Sequence, residues 1–236
     1  MALSLDGQRV LIIGAAGGIG QATVKAFTSA NASVTAAGRT LASVEQLAGR
    51  FNAMPAAVDF LDNNSIEAFF RDNDPFDHVV IAAGSTIAGP VAGLSLEDAK
   101  AAMESKFWGA YRVARAARVN DGGSIIFISG MLSKRPSPTS VLQGSINAAL
   151  EAPARGLALE RAPVRVNAVS PGIIDTPLHN RMPAEARATM YKKMASVLPV
   201  RRIGHAEDVA QAIVFAASNG FVTGSTITVD GGATIM

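Results

Sequence analysis

Short, almost wholly apolar runs alternate with longer stretches of helical period along the whole chain. Residues 9–13 (Arg-Val-Leu-Ile-Ile) read as a buried strand and residues 19–30 as a helix. The alternation continues with strand 33–37, helix 41–51, a short strand at 56–58, a short helix at 65–71 and strand 78–83. Ser95 then stands as a cap before a long helix running to about Arg118. Strand 124–129, a long helix over about 139–161, strand 164–169, helix 206–218 and strand 226–229 complete the series. Strands that are apolar on both faces, each followed by a helix, predict a parallel sheet covered on both sides. The expected fold is therefore α/β and doubly wound, a seven-stranded, mainly parallel sheet in three αβα layers. No repeat, linker or composition break divides residues 1–236, which predicts a single domain. The regular alternation fails only at 177–199, where Met182, Met190, Tyr191 and Met194 suggest a short helical insertion. It reads either as a lid over a ligand crevice or as a plain surface excursion.

Composition narrows the class. Apolar residues make up 49% of the 236, aromatic ones 6% and charged ones 17%, so the apolar content is mostly aliphatic and disorder is excluded. Without cysteine there is no disulfide framework, thiolate metal site or cysteine nucleophile. A net charge of +2 leaves no basic footprint for nucleic acid. The longest uncharged run, 78–96, contains Gly84, Gly89, Pro90 and Gly93 and cannot be a spanning helix. With no export signal at the N-terminus, a soluble, cytoplasmic protein is expected.

The strongest local motif is Gly14-Ala15-Ala16-Gly17-Gly18-Ile19-Gly20, directly after the first strand and opening the first helix. Glycines there allow a tight turn and let backbone N–H groups approach a pyrophosphate at the positive helix end. The second strand ends in Ala37-Gly38-Arg39-Thr40, with no acid where a dinucleotide fold usually places one for the ribose hydroxyls. A guanidinium suits a 2′-phosphate, so Arg39 favours NADP(H) over NAD(H). A solvated Arg after a strand is the alternative.

These segments resemble the short-chain dehydrogenase/reductase family over nearly the whole chain. The resemblance runs through Gly14-x-x-x-Gly18-Ile19-Gly20, Val58-Asp59, Ala82-Ala83-Gly84 and Arg165-Val166-Asn167-Ala168-Val169-Ser170-Pro171-Gly172. It continues in Thr176, Arg202-x-Gly204-x-x-Glu207-Asp208-Val209-Ala210, Thr223-Gly224 and Val229-Asp230-Gly231-Gly232. It implies a Rossmann fold in which Asp59 contacts the adenine and Ala83 and Gly84 pass beside the ribose. Residues 172–176 would hold the nicotinamide amide, with Pro171 and Ile174 in the same loop. It also implies a homodimer or homotetramer built on the two long helices.

At the chemical end the pattern breaks. The family uses a Tyr as general acid/base, a Lys four residues later, and a Ser about thirteen residues before the Tyr. Here Gln143 stands at the Tyr position, Asn147 at the Lys position and Gly130 at the Ser position, and Tyr111 and Tyr191 lie elsewhere. Family members often carry an Asn in the helix after the fourth strand, three residues before a Gly; that position is Lys106. Asn and Lys have exchanged places, so one ammonium and one amide would face the same pocket from opposite helices. Chance drift predicts loss of charge rather than relocation.

Lys106 is thus the candidate proton donor or electrostatic stabiliser, or the group that binds a substrate anion. The alternative is a stem packed on its helix with the ammonium in solvent. Gln143 can orient substrate but not exchange protons near neutrality. Ser129 is expected to point away, which leaves Ser133 as the better hydroxyl candidate. Arg112, Arg115 and Arg118 form a stripe that reads as a solvated or subunit-contact face, and His179 is a weak substrate candidate. His78 and His205 read as structural, and no residue set has metal-ligand spacing. The expected function is an atypical NADP(H)-dependent reductase of a C=O or C=N bond in a small molecule. A non-catalytic NADP(H)-binding sensor or structural partner is the alternative, and a different reaction on the same scaffold a third.

Overall fold

The computed structural model describes residues 5–236. Seven strands form one sheet in the order β3-β2-β1-β4-β5-β6-β9, and all six pairings are parallel. They are β1 (Arg9–Ile13), β2 (Ser33–Gly38), β3 (Met54–Ala57), β4 (Phe76–Ile81), β5 (Val119–Ile128), β6 (Arg165–Pro171) and β9 (Thr226–Val229). Two-residue strands β7 (Ile174–Asp175) and β8 (Gly204–His205) pair separately. The chain winds outward from β1 through β2 to β3, then crosses to β4 on the other side of β1. That reversal opens a crevice at the strand ends, where such folds bind ligands.

The period of two along each strand divides the core. Leu11, Ile13, Val79, Ile81, Ile125 and Phe127 face α3 (Asn63–Asp72), α5 (Gly109–Ala116) and α6 (Val141–Glu160). Their neighbours Val10, Ile12, Val80 and Ile126 face α1 (Gly18–Ser29), α2 (Glu45–Phe51) and α8 (Ala206–Ser218). Both faces are covered, as the uninterrupted apolar runs require.

Several boundaries differ from the sequence expectation. The third strand lies at Met54–Ala57 rather than 56–58, because it is an exposed edge strand with no apolar pattern to fix its limits. The fifth strand starts at Val119, where pairing with Phe76 across a register shift extends it backward. The single long helix expected from Ser95 is α4 (Leu96–Met103), a π-helical turn at Glu104–Trp108, and α5. Ser95 does cap it, its Oγ accepting from Asp98 N. The widened turn shows as Gly109 N–H donating to Glu104 O, five residues back.

The arginine stripe ties helices together. Arg112 pairs with Glu104, Arg115 with Glu67 at 3.3 Å, and Arg118 donates to Phe70 O and Asn73 O. Among the described residues, no helix is long and apolar enough to cross a membrane.

Candidate active site

Three chain segments meet over the crevice. Gly14 turns the chain out of β1 with φ at +86°, and a Cβ there would lie 2.6 Å from Ala83 N. A Cβ on Gly18 would lie 2.8 Å from Thr176 Cβ, and one on Gly20 would overlap Gly14 O. The first turn of α1 has no side-chain cap and no acid, so its N–H groups remain available to an anion.

A cavity of 480 Å³ opens along this seam. Its walls are Gly17, Gly18, Ile19 and Gly20, Ala82 to Gly84 beyond β4, and Ile128 to Leu132 after β5. Lys106, Gln143 and Asn147 close one side. Pro171 to Ile174, Thr176, Pro177, Leu178 and His179 close the other. A glycine turn on a helix N-terminus, joined to a partly apolar crevice, fits a nicotinamide dinucleotide in both shape and donor chemistry.

Lys106 comes from the π-helical turn, where it passes against Gly84. A Cβ on Gly84 (φ +123°) would lie 3.0 Å from Lys106 Cα, so the glycine admits the helix. The ammonium reaches α6 and the turn after β5. Its Nζ donates to Asn147 Oδ1 at 2.7 Å and to Ser129 O at 2.9 Å. The third N–H has no protein acceptor among the described residues. Burial away from water lowers the pKa of this amine from 10.5 to about 8.

Asn147 is buried, only 2% exposed, and its amide stands over Gly130. A Cβ at 130 would lie 2.7 Å from Asn147 Nδ2, so a serine there would displace the amide. Gln143, one turn earlier on α6, also lines the cavity. The ammonium and amide expected from opposite helices therefore touch.

Ser133 is bonded away from the cavity. Its hydroxyl donates to Glu151 Oε1 at 2.6 Å and Gly130 O at 3.1 Å, and it is not among the cavity-lining residues. The buried Glu151 carboxylate also accepts from Ser129 Oγ at 3.0 Å. Glu151 thus draws both hydroxyls behind the turn and leaves the Ser129 carbonyl facing Lys106. No motif announces this role, because a lone Glu in a long helix has none to belong to. His179 and Leu178 do line the cavity, and the His179 ring meets Tyr191 edge-on at 5.7 Å. Tyr191 in turn donates to Asp175 Oδ1 at 3.1 Å.

Other positions lie outside that cavity. Arg39 and Thr40 sit exposed just beyond β2. Arg39 has no protein hydrogen-bond or ion-pair partner among the described residues. Asp59 is half-buried beyond β3, its Oδ1 accepting from Leu61 N at 3.1 Å.

Residues 14–234 match the family model described as enoyl-(acyl carrier protein) reductase. The chain is 32% identical over 252 residues to the short-chain dehydrogenase/reductase ATR9 of Stachybotrys chlorohalonatus, covering 98% of each chain. The chain belongs to the short-chain dehydrogenase/reductase family. It is 30% identical over 250 residues to the 3-oxoacyl-(acyl-carrier-protein) reductase FabG of Thermotoga maritima, covering 99% of this chain and 100% of that one. Among solved structures, it matches a small-chain dehydrogenase in complex with NADPH at 35% identity and a TM-score of 0.86, over 98% of this chain and 100% of that one. These short-chain dehydrogenase/reductase relatives support a general oxidoreductase function, and the fold is one that binds a nicotinamide cofactor.

Proposed function

We propose that this protein is an NADP(H)-dependent oxidoreductase that reduces a C=O or C=N bond of a small molecule, with Lys106 acting in place of the family's Tyr and Lys. The observation that carries the reading is the Lys106 ammonium, fixed by Asn147 Oδ1 and Ser129 O with one N–H left over. The dinucleotide supplies the hydride when bound. Gly14, Gly17, Gly18, Ile19 and Gly20 hold its pyrophosphate at the positive end of α1. Asp59 meets the adenine, Ala83 and Gly84 flank the ribose, and Pro171, Gly172, Ile174 and Thr176 meet the nicotinamide amide. Arg39, with Thr40 beside it, meets the 2′-phosphate. An exposed guanidinium without a protein partner among the described residues, at a strand end lacking an acid, suits that charge. The NADPH bound to the solved relative is in keeping with this choice.

Lys106 Nζ then releases its third proton to the oxygen or nitrogen of the bond being reduced, where negative charge builds. An amine brought to about 8 stays mostly protonated at neutral pH, yet gives up its proton more readily than an ordinary lysine. Asn147 holds the amine, and Gln143 orients the substrate through its amide. We assign no role in proton transfer to Ser133. Residues 177–199, which carry Leu178 and His179, serve as the substrate lid of a single domain. The protein assembles as a homodimer or homotetramer through α5 and α6.

A second reading, a non-catalytic NADP(H)-binding protein, draws on Ser129, whose hydroxyl turns to Glu151 rather than into the cavity. The two separate in one experiment: NADPH oxidation against a broad panel of carbonyls and imines, by wild type and Lys106→Ala. Turnover lost in the variant, with NADPH still bound, fits the reductase. Tight NADPH binding with no turnover on any compound contradicts it and fits the second reading.

A further inference from the structure

Among the described residues lining the cavity, Lys106 is the only Asp, Glu, Lys or Arg, and both of its acceptors are neutral carbonyl oxygens. The acids near it are committed elsewhere. On the same helical stretch, Glu104 pairs with Arg112. On α6, Glu151 accepts from Ser129 and Ser133 behind the turn. Across the cavity, Asp175 accepts from Tyr191, and His179 packs on the same Tyr191 ring. The cavity therefore carries a positive charge with no counter-charge in contact, in a setting that water screens poorly.

The sheet order says which half of a dinucleotide meets that charge. The glycine turn leaves β1, with β2 and β3 to one side of it and β4, β5 and β6 to the other, so a dinucleotide laid across that turn would have its adenosine half toward β2 and β3 and its nicotinamide half over β4, β5 and β6. Lys106 stands in the second half, against Gly84 after β4 and Ser129 after β5. The nicotinamide ring is a cation when oxidised and neutral when reduced.

We propose that Lys106 makes this cavity select the redox state of its nucleotide, holding the neutral reduced ring more tightly than the cationic oxidised one. The inference rests on the cofactor assignment above but not on turnover, and applies equally to a reductase and to a sensor. A reductase would gain ready release of the spent nucleotide, and a sensor would respond to the ratio of the two forms. Like charges sharing one poorly screened cavity repel enough for about a tenfold difference in affinity. Because burial brings Lys106 to about 8, the preference should fade in alkali as the ammonium is lost.

Calorimetric titration with NADPH, NADP+ and 2′,5′-ADP tests this at about pH 7 and about pH 9.5. Wild type should bind NADPH about tenfold or more tighter than NADP+ at the lower pH. Lys106→Gln should bring the two within about twofold, chiefly by tightening NADP+, and the higher pH should narrow the wild-type ratio. Binding of 2′,5′-ADP, which lacks the nicotinamide, should be the same in both proteins. Equal wild-type affinities, or a ratio unchanged by both the substitution and alkali, would overturn the inference alone. Failure of both nucleotides to bind would overturn the cofactor assignment and this inference together.

Discussion

Lys106 Nζ donates to Asn147 Oδ1 across 2.7 Å, joining the π-helical turn after α4 to the middle of α6. On the proposed exchange of the family's Lys and Asn positions, the two side chains that changed places bond directly. An amide in place of the second ammonium removes a repulsion that would otherwise stand at this spot. It also supplies an acceptor that favours the charged form of Lys106, partly offsetting the effect of burial.

Activity should follow the protonation of Lys106. With its amine at about 8, the rate should be level below that pH and fall about tenfold per unit above it. Lys106→Ala should cost about a hundredfold or more in turnover and leave NADPH affinity within about threefold. The stability effect has the opposite sign to a salt bridge. The folded chain loses this proton near pH 8 and the unfolded chain near 10.5, so alkali stabilises the fold across that window. Denaturant titrations of wild type and Lys106→Met should diverge there.

Gly130→Ala should damage the site more than the fold. The added methyl would start 2.7 Å from Asn147 Nδ2, and a buried amide cannot withdraw without releasing Lys106. A destabilisation of about 1–3 kcal/mol is expected from overpacking. Turnover should drop by about tenfold or more, as expected when an acid is misplaced. An unchanged rate would mean that the Asn147 contact does not position the amine.

Arg39→Ala should weaken NADPH by about tenfold to a hundredfold, the usual loss for a charge-assisted bond to phosphate. NADH should change by less than about threefold, since it offers nothing for this guanidinium to hold. Fluorescence titration with both nucleotides measures the difference directly. Equal losses would remove Arg39 from the 2′-phosphate site.

His78 should make the fold acid-sensitive. It is 3% exposed, its ring nitrogens lie 2.9 Å from Ser124 Oγ and 2.7 Å from Gln8 Oε1, and it holds a pKa of about 4. Burial is the main cause, with nearby Arg165 adding to it. The folded chain keeps the ring neutral while the unfolded chain protonates it near 6.5, so stability falls as pH drops from 6.5 toward 4. The loss should approach about 3 kcal/mol in urea melts, and His78→Asn should flatten that slope.

How much of this was legible in the residues depended on whether a pattern is local. Strands Arg9–Ile13 and Thr226–Val229 and helix Ala206–Ser218 lie where their apolar runs predict, since each is bounded by polar or glycine punctuation. The edge strand at Met54–Ala57 slipped because burial, which fixes such limits, is slight there. Motif spacing points to Lys106 and Asn147 as a pair, but not to the direct bond between them. The bond that holds Ser133 is not legible either, because its partner Glu151 lies eighteen residues away in sequence.

The most direct test of the central claim is a crystal structure of the NADPH complex, read at nicotinamide C4. Lys106 Nζ, still bonded to Asn147 Oδ1 and Ser129 O, should be the ionisable group nearest the open space beside C4. A Lys106 turned out of the cavity, or another ionisable side chain closer to C4, would contradict it.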